Sequence, residues 1–362
     1  MQSFLGTKTF IIAEAGVNHN GDIGRAIEMV DAASTAGADA IKFQTFVPEE
    51  VALPDTKTAS YQKQNTGDDT QLNMIKSFHL NADAHFKLVD HCASRGITFL
   101  SSPFDRPSLK FLTQELSVPL LKIPSGEITN GPLLLDAARS GLPVIMSTGM
   151  CNLDDVRQAL DVLAFGALND TVPVGRKSFE GMFSTAEGYS ALSDKVALLH
   201  CTTAYPTPFE AVNLRAIETL KSWFGLTVGY SDHTLGIVAA IAATALGSKV
   251  IEKHFTLDCN LPGPDHQASL EPGPLNEMVS SSRAVELAMG QGEKVHTKIE
   301  TENIPAARKS LVTLSAIKKG EIFSEKNMGI KRPGTGTSPM EYWDFIDQPA
   351  KQDFEKNKVI TS

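Results

Sequence analysis

The stretch Phe10-Ile11-Ile12-Ala13-Glu14 is the first of eight short apolar runs, each of which ends at or near a polar or charged residue, and this series indicates the fold. Stretches with helical spacing separate most of these runs, and strands that alternate with helices favour a parallel sheet. Eight such units predict an α/β protein with a (β/α)8 TIM barrel, which carries its chemistry at the carboxyl ends of its strands. The other seven runs are Ala40–Gln44, Ile97–Ser102, Leu120–Ser125, Val144–Thr148, Ala197–Thr202, Thr227–Asp232 and Val250–His254.

Composition and charge exclude several classes of protein. The 362 residues, 42% of them hydrophobic, suffice for a full-size core, since a barrel uses about 250 residues as one domain. The net charge of -9 and the lack of a basic tract argue against a nucleic-acid partner. No apolar run approaches the ~20 residues that span a bilayer. Without a signal-peptide pattern, and with four scattered cysteines, we expect a cytoplasmic protein that has no membrane partner.

The pattern changes after the eighth run, which predicts a second domain. Residues 1–289 are expected to form the catalytic barrel, residues 290–304 a polar linker, and residues 305–362 a small β-rich domain. The long polar stretch 45–80 follows the second strand, on the catalytic side of the barrel. Long loops in that position usually shape a binding site.

Two lysines near strand ends indicate an anion site. Lys42 and Lys122 belong to the second and fourth runs, and two ammonium groups at one barrel mouth suit a phosphate or carboxylate ligand. Glu14 and Glu127 are the acidic counterparts, which act as general acid or base or balance the charge of a lysine. Neighbouring strand ends add hydroxyl groups to the same place: Ser102, Ser125, Ser147 and Ser231.

Two histidines indicate a metal site. His233 and His254 end the seventh and eighth strands, which are neighbours in a barrel, and two imidazoles can hold one divalent ion with positions left for water or substrate. Their spacing forms no linear metal motif, so a structural role stays the alternative. Asp265 follows a rigid Pro-Gly-Pro turn and Arg332 adjoins a Gly-rich turn, so each either completes a site or is solvated.

Motifs along essentially the whole chain resemble those of the bacterial sialic acid synthase (N-acetylneuraminate synthase) family. The C-terminal part, with Ala307–Ser310 and Lys331–Gly334, is similar to the antifreeze-like (SAF, β-clip) domain that ends those enzymes. The matching barrel motifs are Ile12–Gly21, Lys42–Thr45, Ser102–Phe104, Lys122–Glu127, Ser147–Met150, His200–Pro208, Ser231–Thr234, Glu252–Phe255 and Pro262–Asp265.

The resemblance implies a condensation of phosphoenolpyruvate (PEP) with N-acetylmannosamine that gives N-acetylneuraminate and phosphate. It implies Mn2+ or Mg2+ held by His233 and His254, and a domain-swapped homodimer in which Arg332 reaches the other subunit's barrel. For this reaction we expect catalysis by Glu14, Lys42, Lys122 and Glu127, with Glu14 or Glu127 as the carboxylate that stabilises the positive charge at PEP C2. The resemblance assigns PEP binding to Lys42, Ser102, Lys122, Ser125, Ser147, Tyr205 and Ser231. It assigns binding of the amino sugar to Glu14, Gln44, Asp265 and Arg332.

Several alternatives stay open. A 2,4-diacetamido-2,4,6-trideoxy-mannose acceptor would make the chain a legionaminate synthase, whereas pseudaminate-type enzymes tend to differ at Lys122–Glu127 and rank lowest. Lys122 is also placed to form a Schiff base, as in an aldolase. A carbohydrate- or ice-binding protein on an inactive barrel is a further alternative, against which the full set of charged strand-end residues argues.

Overall fold

A computed structural model of the chain describes Met1 and residues 5–361, which fall into two compact units, Met1–Gly290 and Gln291–Ser362. The first unit contains an eight-stranded parallel sheet in the order β3-β2-β1-β8-β7-β6-β5-β4, which confirms the predicted barrel. Its strands are β1 Phe10–Gly16, β2 Ala40–Thr45, β3 Thr98–Pro103, β4 Leu121–Ile123, β5 Val144–Ser147, β6 Val196–His200, β7 Thr227–Asp232 and β8 Val250–His254.

The sheet curls into a cylinder because β3 and β4, the two ends of this order, lie side by side. The strand register fixes which residues share a level. Glu14 of β1 pairs with Lys42 of β2 on one side and with His254 of β8 on the other. Parallel pairing therefore brings the polar ends of neighbouring strands together.

Amphipathic helices cover the barrel. The Ile23–Thr35 helix is typical: Asp22 caps its first turn, and Ala26, Met29, Val30 and Ala33 are buried at helical spacing. The other helices of the first unit outside the 45–80 stretch span Ala82–Arg95, Arg106–Lys110, Gly131–Arg139, Leu153–Leu168, Ala186–Ser193, Ala216–Phe224, Val238–Ala245 and Pro272–Met289.

The 45–80 stretch is more ordered than its polar composition predicts. It forms three short helices, Pro48–Val51, Ser60–Thr66 and Gln71–Ser77. Phe46 from the start of the stretch and Met74 and Phe78 from its end pack together with Val17 into a small core of their own. This packing against the barrel gives the segment a fixed structure.

The second unit contains the Lys298–Ala307 and Tyr342–Phe345 helices and a two-stranded antiparallel sheet, β9 Ser310–Thr313 with β10 Met328–Lys331. Part of the expected 290–304 linker is thus helical, since Thr297 caps the first helix and Glu300 completes its capping box. The small core of the second unit consists of Leu311, Ile317, Phe323, Met328, Ala350 and Ile360. Among the described helices of the chain, none combines the length and the apolarity that crossing a membrane requires.

Candidate active site

The interior of the barrel changes from apolar to polar along each strand, because every second side chain of a strand faces the axis. An apolar cluster fills the lower part: Met1, Leu5, Phe10, Ile12, Ala40, Leu100, Leu120, Ile145, Ala197, Leu199 and Val250. Two positions further along the same strands come Glu14, Lys42, Ser102, Lys122, Ser147, Cys201 and Glu252. Strand alternation thus places a polar layer on an apolar base.

The polar layer lines a cavity of about 430 Å³ at the carboxyl ends of the strands. Of the sequence-predicted site residues in the first unit, the structure brings all but Glu127 into its lining. These residues are Glu14, Lys42, Gln44, Ser102, Lys122, Ser125, Ser147, Tyr205, Ser231, His233, His254 and Asp265.

Lys42 is buried between two carboxylates. Its Nζ lies 2.7 Å from Glu14 Oε2 and 3.8 Å from Glu252 Oε2, and it donates a hydrogen bond to Ser102 Oγ at 3.3 Å. Burial works against the charged form of Lys42, but Glu14 and Glu252 outweigh it and raise the pKa of this lysine. Burial raises the pKa of Glu14 to about 7, since Lys42 offsets only part of the desolvation cost. Lys42 therefore stays cationic at neutral pH, where Glu14 exchanges a proton.

Lys122 lies on the other side of Glu252. Its Nζ donates to Ser147 Oγ at 2.8 Å and lies 3.5 Å from Glu252 Oε1, which also accepts a hydrogen bond from Ser231 Oγ at 3.0 Å. Burial lowers the pKa of Lys122, and Glu252 offsets part of that shift. Burial also works against ionisation of Glu252, but Lys122 and Lys42 outweigh it and lower the pKa of this carboxyl. Glu252 is therefore the carboxylate that stays ionised.

Sequence reasoning missed Glu252 as a site residue, although it belongs to one of the quoted motifs. Glu252 precedes His254 by two positions on β8, so both side chains face the barrel axis. A signal was thus present in the sequence, because a charged residue at an axis-facing position of a buried strand requires a partner.

The two predicted metal-ligating histidines lie together. The ring centroids of His233 and His254 are 5.4 Å apart, and the Tyr205 ring lies 4.3 Å from the first and 5.5 Å from the second. His233 Nδ1 donates to the Thr202 carbonyl oxygen at 2.6 Å, so Nε2, which lies 3.4 Å from Ser231 Oγ, is the nitrogen that carries the lone pair. Burial lowers the pKa of both imidazoles, so both rings are neutral at physiological pH.

Imidazoles bind metal ions in their neutral form. The pair also contains a nitrogen atom that makes no hydrogen bond within the described chain. His254 Nδ1 is buried and finds no hydrogen-bond partner among the described residues. Within that same part of the chain, no three His, Cys, Asp or Glu side chains are grouped as metal ligands. His233 and His254 therefore fit a divalent ion only as a two-nitrogen donor set, with the other positions supplied by water or substrate.

A buried ion pair on the outer faces of β7 and β8 supports this histidine pair. Lys253 Nζ lies 2.9 Å from Asp232 Oδ2. Asp232 Oδ1 accepts hydrogen bonds from the Tyr230 hydroxyl at 3.1 Å and from the Thr234 backbone amide at 2.9 Å. Because Asp232 and Lys253 directly precede the two histidines, this network fixes the strand ends from which the imidazoles project.

Asp265 reaches the cavity from the turn after β8. Asn20 Nδ2 donates to the Pro262 carbonyl oxygen at 2.7 Å, and Asn65 Nδ2 donates to that of Pro264 at 3.0 Å. Gly263 adopts a φ of 151°, and a Cβ atom there would lie 2.7 Å from the His266 ring, so only glycine fits. Burial raises the pKa of Asp265 to about 6.

Ser125 is held at the rim by close packing of two loops. Its Oγ accepts a hydrogen bond from the Gly149 amide at 3.0 Å and lies 3.2 Å from Cys201 Sγ. A Cβ atom on Gly149 would lie 2.5 Å from Thr203 Oγ1, so the approach of these loops requires glycine. Thr203 lines the cavity with its hydroxyl group, and Cys201 joins the lining as a residue that sequence reasoning did not select.

Glu127 is the predicted site residue of the first unit that does not line the cavity. It is half-buried and accepts a hydrogen bond from Asn130 Nδ2 at 2.7 Å. Its catalytic role stays a prediction that this position does not favour, and Glu252 joins Glu14 as the second buried carboxylate of the cavity. Arg332 is an exposed residue of the second unit, where its Nε donates to the Ala307 carbonyl oxygen at 3.0 Å.

A (β/α)8 barrel whose mouth combines two lysines, two imidazoles and two buried carboxylates defines an enzyme of the barrel class with a cavity suited to anions. The chain belongs to the NeuB family, the sialic acid synthase family, whose sequence pattern it matches over residues 29–294.

Individual relatives cover nearly the whole chain. It is 45% identical to the N,N'-diacetyllegionaminic acid synthase of Campylobacter jejuni over 354 residues, 98% of this chain and 99% of that protein. Identity to the synthase of the same name from Legionella pneumophila is 44%, over 93% of this chain and 89% of that protein. The crystal structure of an N-acetylneuraminic acid synthetase from Leptospira borgpetersenii with citrate is 34% identical, with a TM-score of 0.68 over 82% of this chain and 90% of that chain.

Proposed function

We propose that this protein is an N,N'-diacetyllegionaminic acid synthase, which condenses PEP with 2,4-diacetamido-2,4,6-trideoxy-mannose and releases phosphate. One observation carries the choice of acceptor: two synthases of that name share 45% and 44% identity with nearly the whole chain, against 34% for the N-acetylneuraminic acid synthetase. N-acetylmannosamine, which the sequence resemblance puts first, becomes the second candidate acceptor, favoured by that last likeness.

The two lysines bind PEP. PEP is a small, strongly anionic molecule, and the buried ammonium groups of Lys42 and Lys122 neutralise its phosphate and carboxylate groups in the cavity. The hydroxyl groups of Ser102 and Ser147, which already accept hydrogen bonds from these lysines, turn toward the same oxygens. Phosphate leaves as an anion, so the same lysines stabilise the leaving group.

His233 and His254 would hold a divalent metal, Mn2+ or Mg2+, and such an ion would supply Lewis-acid polarisation of a carbonyl oxygen. With PEP bound by the lysines, the open-chain aldehyde of the sugar lies on the imidazole side of the same cavity, within reach of PEP C3. Gln44 and Asp265, which line the same cavity, orient the polar groups of the sugar.

The two buried carboxylates have different tasks, because their environments move their pKa values apart. The C2–C3 double bond of PEP opens as C3 bonds to the aldehyde carbon, the aldehyde oxygen takes a proton from solvent water and becomes a hydroxyl group, and positive charge develops at PEP C2. Glu252 stays ionised and stabilises that charge. Glu14, with a pKa of about 7, accepts a proton from the water that adds at C2. The C2–O bond to phosphate then breaks, the new hydroxyl group at C2 gives its proton to the leaving phosphate, and C2 becomes the ketone of the product.

The antifreeze-like assignment of the second unit, the domain-swapped homodimer and the acceptor contact of Arg332 stay predictions from the sequence resemblance. All three belong to the proposed enzyme, since an arginine supplied by a second subunit would complete the acceptor end of the cavity.

The experiment is a kinetic comparison of amino sugars with purified protein, PEP and Mn2+. We expect stoichiometric phosphate release, with kcat/KM at least about tenfold higher for 2,4-diacetamido-2,4,6-trideoxy-mannose than for N-acetylmannosamine. Higher kcat/KM for N-acetylmannosamine would overturn the acceptor assignment. Covalent inactivation by borohydride in the presence of substrate would instead identify a Schiff-base aldolase.

A further inference from the structure

The outer half of the cavity differs chemically from its charged floor. Segment 45–80, together with the ends of β1 and β3, contributes a set of apolar side chains to this half, beside the polar side chains of Gln62 and Gln71. We call this surface the apolar wall, and it consists of Val17, Phe46, Met74, Ile75, Phe78 and Phe104. Four of these side chains are buried within their own cluster, and Ile75 and Phe104 are half-buried beside them.

Several contacts hold the wall in place over the cavity. The Phe46 and Phe104 rings pack edge to face with centroids 6.4 Å apart. The backbone amide of Gln71 donates to the Thr56 carbonyl oxygen at 2.8 Å. This hydrogen bond ties the helix that carries Met74 and Ile75 to an earlier part of the segment. Asn65 Nδ2 donates to the Pro264 carbonyl oxygen, directly beside Asp265. The wall is therefore fixed relative to the acceptor end of the cavity.

The position of the reaction decides which part of the acceptor meets this wall. The aldehyde carbon must lie at the floor, beside His233, His254 and the lysines, so the carbon chain of the sugar extends toward the mouth. Its far end, C4 to C6, then lies among the wall residues. In 2,4-diacetamido-2,4,6-trideoxy-mannose this end carries a methyl group at C6 and an acetamido group at C4, where N-acetylmannosamine has hydroxyl groups.

We propose that the apolar wall determines acceptor specificity, because it packs against the C6 methyl group and the acetyl methyl group at C4. This inference rests on the proposed function, which supplies the orientation of the acceptor. Apolar contact favours the methyl groups, whereas a hydroxyl group placed there loses its hydrogen bonds to water. Discrimination by such a surface is about 10-fold to 100-fold for one group.

The test exchanges single wall residues on the Gln71–Ser77 helix. Met74→Gln keeps an unbranched side chain and a good helix former, and Ile75→Gln makes the same change at a half-exposed position where folding is less at risk. Leu72→Gln is the matched control, because Leu72 is half-buried on the same helix and does not line the cavity. The acceptors are N-acetylmannosamine, its 6-deoxy analogue and the 2,4-diacetamido-6-deoxy sugar.

We expect the kcat/KM ratio of the 6-deoxy analogue to N-acetylmannosamine to fall about tenfold in Met74→Gln or Ile75→Gln, and to stay at the wild-type value in Leu72→Gln. An unchanged ratio in both cavity variants, with native circular dichroism, overturns the inference, as does an equal fall in the control. The wild-type preference between the diacetamido sugar and N-acetylmannosamine tests the proposed function separately, since the 6-deoxy comparison isolates the methyl group.

Discussion

Replacing Glu252 by Gln removes the carboxylate between Lys42 and Lys122 and keeps a side chain of the same size. Unit charges 3.5 and 3.8 Å apart interact by about 4–5 kcal/mol each at an effective dielectric constant of about 20. Because desolvation cancels much of this attraction, we expect the free energy of unfolding without substrate to fall by about 3–5 kcal/mol, as for other buried pairs that lose one partner.

The same variant separates binding of PEP from turnover. Without Glu252 the two lysines lose an internal counter-ion, so PEP should bind more tightly and stabilise Glu252→Gln more than the wild type. Turnover should fall about 10²-fold to 10³-fold, because the developing charge at C2 loses its carboxylate.

Urea unfolding with and without PEP, and steady-state phosphate release, measure both effects. In contrast, we expect only a small loss of turnover in Glu127→Gln, whose carboxylate lies outside the cavity. Wild-type turnover in Glu252→Gln, or a raised KM for PEP, would refute the role assigned to Glu252.

Three further predictions test other parts of the site. Lys122→Met should lower phosphate release at least about 10²-fold with an unchanged circular dichroism spectrum, and full activity would refute its role. Because the pKa of Glu14 is raised to about 7, its ionised fraction rises between pH 6 and 8. We therefore expect kcat/KM to rise with pH through about 7, and we expect this rise to be absent in Glu14→Gln. If the homodimer is domain-swapped, co-expressed Lys122→Met and Arg332→Ala chains should recover about a quarter of wild-type activity. Half of the dimers are then mixed, and each mixed dimer has one intact site out of two. Activity no higher than that of the two variants alone would contradict the swap.

Most of the first unit could be predicted from the sequence because a (β/α)8 barrel repeats one local pattern, an apolar strand followed by an amphipathic helix. The eight apolar runs became eight strands, with ends shifted by a few residues where a polar residue terminates pairing. The run Leu120–Ser125, for example, pairs only over Leu121–Ile123, because Ser125 starts a short 3-10 turn. Site residues at strand ends were predictable for the same reason, since parallel register brings strand ends together without any knowledge of side-chain packing.

The residues that sequence reasoning misplaced depend on packing that no local pattern records. In the 3-10 turn Ser125–Glu127, successive side chains point in different directions, so Ser125 faces the cavity and Glu127 turns to Asn130. The apolar wall was hidden because its members come from separate parts of the chain: Val17, Phe46, the Met74–Phe78 stretch and Phe104. Only the folded segment brings Phe46 and Met74 together.

In the proposed reaction PEP C3 attacks an aldehyde in this cavity, and phosphate leaves by cleavage of the C2–O bond. The decisive measurement uses PEP labelled with ¹⁸O at the bridging oxygen, with purified wild-type protein, Mn2+ and 2,4-diacetamido-2,4,6-trideoxy-mannose. We expect the released phosphate to carry the label and the new ketone to take its oxygen from water. Unlabelled phosphate, or label retained in the ketone, would rule out this reaction.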